Sequence, residues 1–170
     1  RKEFGGPEPF IYLGLNKVKM EEFSKEYGKK SMSLIYLNHI KNFGVRVFDL
    51  DADFFENTII ETLKRKALNS INNLNINSIG RLISEFEEYY RSSLGFNFPD
   101  DPSKQIHYAL KAIVNEWKSP TSKILRNSLG IDDEDYMGAM IQKMIFNNPS
   151  SNIVDLEIQF VDSNTGEEKI

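Results

Sequence analysis

Apolar residues along this chain recur mostly at helical spacing, and switch to alternation only near the end. Residues 1–10 hold two Gly and two Pro and read as a loop. Asn16 is placed to cap a helix running to Tyr27, with Val18, Met20, Phe23 and Tyr27 on its apolar side and Gly28 as its stop. Met32, Ile35, Tyr36, Ile40 and Phe43 predict a second helix ending before Gly44, followed by a short extended link over 45–48. Asp51 or Asp53 caps a third, carrying Phe54, Ile59, Ile60 and Leu63. Residues 69–77 contain five Asn, whose side chains compete for backbone hydrogen bonds, so a loop is expected there. Asn77 then caps a helix through Ile79, Leu82, Ile83, Phe86 and Tyr90, stopped before Gly95. Asp101-Pro102 and Ser119-Pro120 each pair an N-cap with proline at the first helical position. The first opens a stripe of Ile106, Ala109, Leu110, Ile113, Val114 and Trp117; the second opens a short helix ending near Gly130.

Beyond the acidic run 132–135, residues 139–146 and 153–161 look like strands joined by the turn-rich stretch 147–152. A turn at Asn164-Thr165-Gly166 leaves 167–170 to begin a third. The expected class is therefore α+β, mainly α: a helical unit followed by a small β-hairpin or partial sheet. Two or three strands are marginal alone, so this sheet either continues in chain outside the sequence or packs on the helices.

Composition narrows the chemistry. At 170 residues, 40% hydrophobic and 27% charged, the chain is an ordinary globular domain, and twelve Phe with seven Tyr supply a core. No apolar run approaches the roughly 18 residues of a membrane span, and nothing resembles a signal peptide. The chain opens on Arg1 and reads as a fragment. With no cysteine it has no disulfide, thiolate nucleophile or Cys-ligated metal, which fits a reducing, cytoplasmic setting. A net charge of -4 with only short basic clusters, Lys29-Lys30 and Lys64-Arg65-Lys66, argues against nucleic acid.

Local chemical motifs are sparse. Asp49-Leu50-Asp51-Ala52-Asp53 resembles the opening of a calcium loop, but Phe54 and Ile60 stand where that loop needs Gly and Glu. Residues 132–135 are adjacent carboxylates on a loop, the arrangement of a solvated run. His39 and His107, the two histidines, lack the H-E-x-x-H spacing and read as packing or surface residues.

The stretch 96–131 carries more. It contains Phe96-Asn97-Phe98-Pro99-Asp100-Asp101-Pro102, then Gln105, Ala109-Leu110-Lys111-Ala112-Ile113, Glu116-Trp117, Ser119-Pro120, Arg126 and Ile131. This resembles the "FPQDPxxQL…SW..PRA..YR" signature of pyruvate phosphate dikinases. Leu13-Gly14-Leu15-Asn16 resembles the family's "NLGLN". Phe54-Phe55-Glu56, residues 140–148 and Asn164-Thr165-Gly166-Glu167 are similar to further family stretches. The resemblance implies a piece of the N-terminal, ATP-grasp-like nucleotide-binding region: 1–15 its lead-in loop, 16–131 its helical subdomain, 138–170 part of its sheet. It also implies a parent enzyme that converts ATP, pyruvate and phosphate to AMP, phosphoenolpyruvate and diphosphate with Mg2+, through a histidine on a swivelling domain. The partners implied are the remaining domains of that polypeptide and a homo-oligomeric copy, with no nucleic acid and no membrane.

Against the family's "MPGMMDT" loop, residues 3–9 keep only Gly5. Against "SGTGVAFTRNP", residues 153–163 lose both glycines, the threonines and the arginine. Glycine lets backbone N–H groups approach a phosphate, and Asp155 and Glu157 would repel one. Gly5 and Gln142 are therefore the only carry-overs to nucleotide binding, and no residue is assigned to catalysis or to metal. Pro99, Pro102, Gln105, Trp117, Pro120 and Arg126 are expected to shape and pack the helices. The isolated segment is expected to be inactive and to bind neither ATP nor Mg2+ tightly. The alternative is a diverged, non-catalytic homologue serving as a protein-interaction or structural module.

Overall fold

A computed structural model describes residues 7–132 and 138–144. Its described part holds six α-helices: α1 Lys17–Tyr27, α2 Lys29–Phe48, α3 Ala52–Lys66, α4 Ile76–Leu94, α5 Pro102–Trp117 and α6 Pro120–Ser128. A single 3-10 turn, Ile71–Asn73, lies between α3 and α4. Most starts are local side-chain caps. Asn16 accepts from the Lys19 N–H at 2.8 Å, Asp51 from Asp53 at 2.9 Å, and Asp101 from Ser103 at 2.8 Å. Each satisfies an N–H that the first turn leaves without a helical acceptor.

α2 is the axis of the bundle and packs against α1, α3, α4 and α5. Its Met32, Tyr36, Leu37, Ile40 and Phe43 are fully or almost fully buried, and they meet Phe55 and Ile59 of α3 and Ile79, Leu82, Phe86 and Tyr90 of α4. Each such side chain contributes roughly 1.5–3 kcal/mol by leaving water. Phe98, in the loop before α5, sits edge-on to Tyr36, Phe43 and Tyr90 and extends the core toward the α5 end.

Three expectations need correction. Residues 45–48 are not an extended link: α2 runs through Gly44 to Phe48. Tyr90 of α4 lies where a side chain at Gly44 would be, so this glycine serves packing rather than a stop. α4 is capped by Asn75, which accepts from Ser78 at 2.9 Å, two residues earlier than the Asn77 cap. Residues 138–144 carry no strand. A strand exists through ladder hydrogen bonds to a neighbour, and among the described residues nothing pairs with this segment. The strand over 153–161, the turns at 147–152 and 164–166, and a strand over 167–170 lie outside the described residues. Among the described residues no helix is long and apolar enough to cross a membrane.

Candidate functional site

The most elaborately bonded place in the described structure joins two stretches far apart in sequence. Residues 12–16 lead into α1, and residues 98–105 lead into α5. The lead-in makes a tight turn, Leu15 N–H donating to the Tyr12 carbonyl at 3.0 Å. Gly14 takes φ +88°, where a side chain is strained, and a Cβ there would lie 3.5 Å from Pro102 Cβ.

Gln105, in the first turns of α5, is fully buried. Its Nε2 donates to the carbonyls of Leu15 at 3.0 Å and Pro99 at 2.7 Å. Only an amide nitrogen can serve two carbonyls, so the orientation of the side chain is settled by its partners. Its Oε1 then faces the Gly14 N–H at 2.8 Å and His39 Nε2 at 3.0 Å. An acceptor opposite the ring nitrogen means that His39 carries its proton on Nε2. All four hydrogen-bonding positions of one buried amide are used. Asn16 adds a parallel link, its Nδ2 donating to the Asp100 carbonyl at 2.9 Å while its Oδ1 caps α1.

His39 is buried among Tyr12, Phe43 and Phe98. Burial pushes its pKa down to about 4, against a smaller upward pull from the Gln105 hydrogen bond. It is neutral at physiological pH and acts as a donor that orients Gln105.

A second set of contacts holds the chain just before the turn. The Arg46 guanidinium of α2 lies 3.9 Å from the centre of the Phe10 ring. It also donates to the carbonyls of Glu8 at 2.8 Å and Pro9 at 3.1 Å and pairs with Glu116 of α5 at 3.1 Å. One cation therefore ties the lead-in, α2 and α5 together. Met144 comes back to the same turn, its sulfur accepting from the Tyr12 N–H at 3.3 Å.

The α5–α6 corner is built from the remaining signature residues. Pro102 and Pro120 occupy the first turns of α5 and α6. Arg126 is only 1% exposed; its guanidinium stacks 3.8 Å over the Trp117 ring and donates to the Trp117 carbonyl at 2.8 Å. Weakly hydrated, planar arginine suits such a site better than lysine.

Of the sequence-derived residues, Pro99, Pro102 and Gln105 come together around Gly14 and Leu15, while Trp117, Pro120 and Arg126 form a separate corner. Gln142 is exposed and joins neither. Gly5 lies outside the described residues, as do Asp133, Glu134 and Asp135 of the acidic run. His107 is exposed on α5. His39 and Arg46 were missed as clamp residues. His39 continues the Tyr36, Ile40, Phe43 stripe at helical spacing, which is a signal of burial. Nothing in the sequence connects Arg46 to Phe10. Among the described residues no group of three or more His, Cys, Asp or Glu side chains gathers closely enough to hold a metal.

No family model matches the chain. Curated relatives do. "Pyruvate, phosphate dikinase 1, chloroplastic" of Zea mays is 28% identical over 167 residues, covering 98% of this chain and 18% of its own length. "Pyruvate, phosphate dikinase 2" of Zea mays is 26% identical over 167 residues, covering 98% and 19%. "Pyruvate, phosphate dikinase" of Clostridium symbiosum is 25% identical over 146 residues, covering 85% and 17%. The chain thus spans less than a fifth of the length of the relatives it matches, yet matches them over nearly all of itself. Two stretches that resemble the same family, 13–16 and 96–105, are locked together by Gln105, and over nearly all of its length the chain is similar to pyruvate, phosphate dikinases.

Proposed function

We propose that this chain is a helical unit that positions the nucleotide-binding part of a pyruvate phosphate dikinase-like polypeptide. The parent converts ATP, pyruvate and phosphate to AMP, phosphoenolpyruvate and diphosphate in the cytoplasm. Residues 1–15 form the loop that leads from the nucleotide site, 16–131 the helical subdomain, and 138–170 a return into an ATP-grasp-like sheet. The observation that carries this reading is the Gln105 clamp. A buried amide with four partners fixes the direction in which the lead-in leaves the bundle. Phosphoryl transfer depends on placing groups to within about an ångström, so a rigid exit from a helical unit is a means of positioning.

The expectation of no tight ATP or Mg2+ binding by this chain is supported by its sequence: residues 3–9 keep only Gly5 of the family's loop, and 153–163 lack the glycines that let backbone N–H groups approach a phosphate. In this reading, nucleotide and metal in the parent are held by other segments of the polypeptide. Gly5 and Gln142 are the residues of this chain that the resemblance carries over to nucleotide binding. The isolated segment is inactive, and its partners are the remaining domains of the polypeptide and a homo-oligomeric copy.

The test uses the full-length polypeptide, assayed for pyruvate- and phosphate-dependent conversion of ATP to AMP and phosphoenolpyruvate. Turnover is expected, with Gln105→Leu lowering kcat/KM for ATP on the order of tenfold or more. The 170-residue chain alone, titrated with ATP and excess magnesium, is expected to show no micromolar binding. A second reading, a non-catalytic interaction module, is favoured by the glycine-poor stretch 153–163. Absence of turnover in an intact full-length polypeptide would select it.

A further inference from the structure

The lead-in turn is fastened at its middle by a sulfur atom. Tyr12 donates its backbone N–H to Met144 Sδ at 3.3 Å, across 132 positions of sequence. Tyr12 is also strained: its φ is +63°, a left-handed conformation that a bulky residue adopts only where the surroundings hold it. On one side of Tyr12 the chain is held by Arg46, through Phe10 and the carbonyls of Glu8 and Pro9. On the other side Gln105 holds Gly14 and Leu15. Met144 contributes the contact at the strained residue between these two clasps.

That contact is chemically the most vulnerable of the three. A thioether is a weak acceptor and can be oxidised, whereas the groups of the other two clasps are stable to peroxide. Met144 is 38% exposed, so an oxidant dissolved in water can reach it. Met32 is fully buried and Met20 is partly buried against the core. Met140 is 81% exposed, but no contact to the lead-in is seen for it among the described residues.

We propose that Met144 is a redox-sensitive clasp on the lead-in, a modification site at which a peroxide-class oxidant releases the Tyr12 turn. A sulfur lone pair attacks one oxygen of the peroxide. An S–O bond forms and the O–O bond breaks. Sulfur gives up two electrons, and the departing oxygen leaves as water after taking the proton of the oxygen transferred. Two epimers form. In one, the new oxygen takes the position of the Tyr12 N–H. In the other, the lone pair left facing Tyr12 sits on an electron-poor sulfur and accepts poorly. Both lose the 3.3 Å contact, and the polar sulfoxide favours water over the turn. The consequence for the parent rests on the reading of the lead-in as the means by which the bundle positions the nucleotide-binding part.

The test uses the full-length polypeptide carrying Met140→Leu, which removes the more exposed neighbour. It is treated with hydrogen peroxide, sulfoxides are located by peptide mass mapping, and hydrogen–deuterium exchange is followed in the peptide spanning residues 10–16. Oxidation at Met144 is expected to speed exchange there about tenfold, because the strained turn opens more often. Methionine sulfoxide reductase should restore slow exchange. Met144→Leu with Met140→Leu, which has no sulfur at either position, should exchange fast from the start and be unaffected by peroxide. Oxidised Met144 with unchanged exchange overturns the proposal, since the sulfoxide oxygen has then taken over the N–H. A peroxide effect that persists in the double variant also overturns it, in favour of another methionine. So does native protein in which Met144 resists oxidation. Exchange is read without turnover, so the two readings fail separately. Dikinase turnover with no change in exchange removes only the clasp, and the change without turnover in untreated protein removes only the catalytic reading.

Discussion

The phenol oxygen of Tyr90 fills the space that a side chain at Gly44 would need: a Cβ at position 44 would lie 2.7 Å from it. The same oxygen donates to the Ile40 carbonyl at 2.8 Å, one turn earlier on α2. Removing a side chain lets α4 come close enough to place a second donor on a helical carbonyl, and burial raises the Tyr90 pKa so that the phenol stays protonated. Gly44→Ala is therefore expected to destabilise the chain by roughly 1–3 kcal/mol, the usual range for overpacking, despite alanine's better helix propensity. Tyr90→Phe loses about 1 kcal/mol with its hydrogen bond. In the Tyr90→Phe background Gly44→Ala should cost less, because the nearest atom is gone. Urea denaturation of the four proteins measures this coupling, and strictly additive losses would refute the packing account.

Gln105→Leu keeps the size of the side chain and removes every hydrogen bond it makes. Gly14 N–H, His39 Nε2–H and the carbonyls of Leu15 and Pro99 all lose their shared partner. At about 1–3 kcal/mol for each buried group left without one, relaxation should still leave a total loss of about 3 kcal/mol or more. Gln105→Glu should not rescue it, since a carboxylate cannot donate to two carbonyls. Chemical denaturation gives the loss, and faster proteolysis within residues 8–16 locates it.

His39 makes stability depend on pH. Its folded pKa of about 4 lies below its ordinary 6.5, so between these values the unfolded chain binds a proton that the folded chain does not. The contribution is complete above pH 6.5 and is lost as pH falls toward 4. The shift corresponds to about 3 kcal/mol. Wild type and His39→Gln should therefore converge in stability between pH 7.5 and 4.5, measured by urea titration at each pH. A constant difference would show that His39 titrates alike in the folded and unfolded chain.

Trp117 is the only tryptophan, so its fluorescence reports the α5–α6 corner. Arg126→Lys removes the planar cation from the ring and is expected to cost about 1–2 kcal/mol while shifting emission to the red. Unchanged emission would mean that the indole does not depend on the guanidinium for its cover.

Arg46→Ala should act locally. It releases Phe10 and the carbonyls of Glu8 and Pro9, leaving the α2–α4 core untouched. Limited proteolysis near residues 8–10 is expected to accelerate several-fold, with a global denaturation midpoint close to that of wild type. A large fall in the midpoint would place Arg46 in the cooperative core.

What the sequence determined by itself is what depends on neighbours within a turn or two. The caps at Asn16, Asp101 and Ser119 were legible, and that of α3 was narrowed to Asp51 or Asp53, because a capping side chain needs only the N–H groups two or three residues ahead. Helical stripes were legible because side chains three and four apart share a face. Asn75 and Asn77 carry the same local signal, and only packing of α4 chose between them. Gly44 reads locally as a helix stop, and only Tyr90, distant in sequence, shows why a glycine stands inside α2. Gln105 stood out as a signature residue, but its four partners come from three segments of the chain. The strand pattern over 139–146 is a statement about side chains, whereas a strand needs a paired backbone, and the described residues 139–144 have none. The tertiary structure alone could show that Arg126 turns inward and Ile124 outward, because that choice was made by the ring of Trp117 and not by the hydropathy of α6.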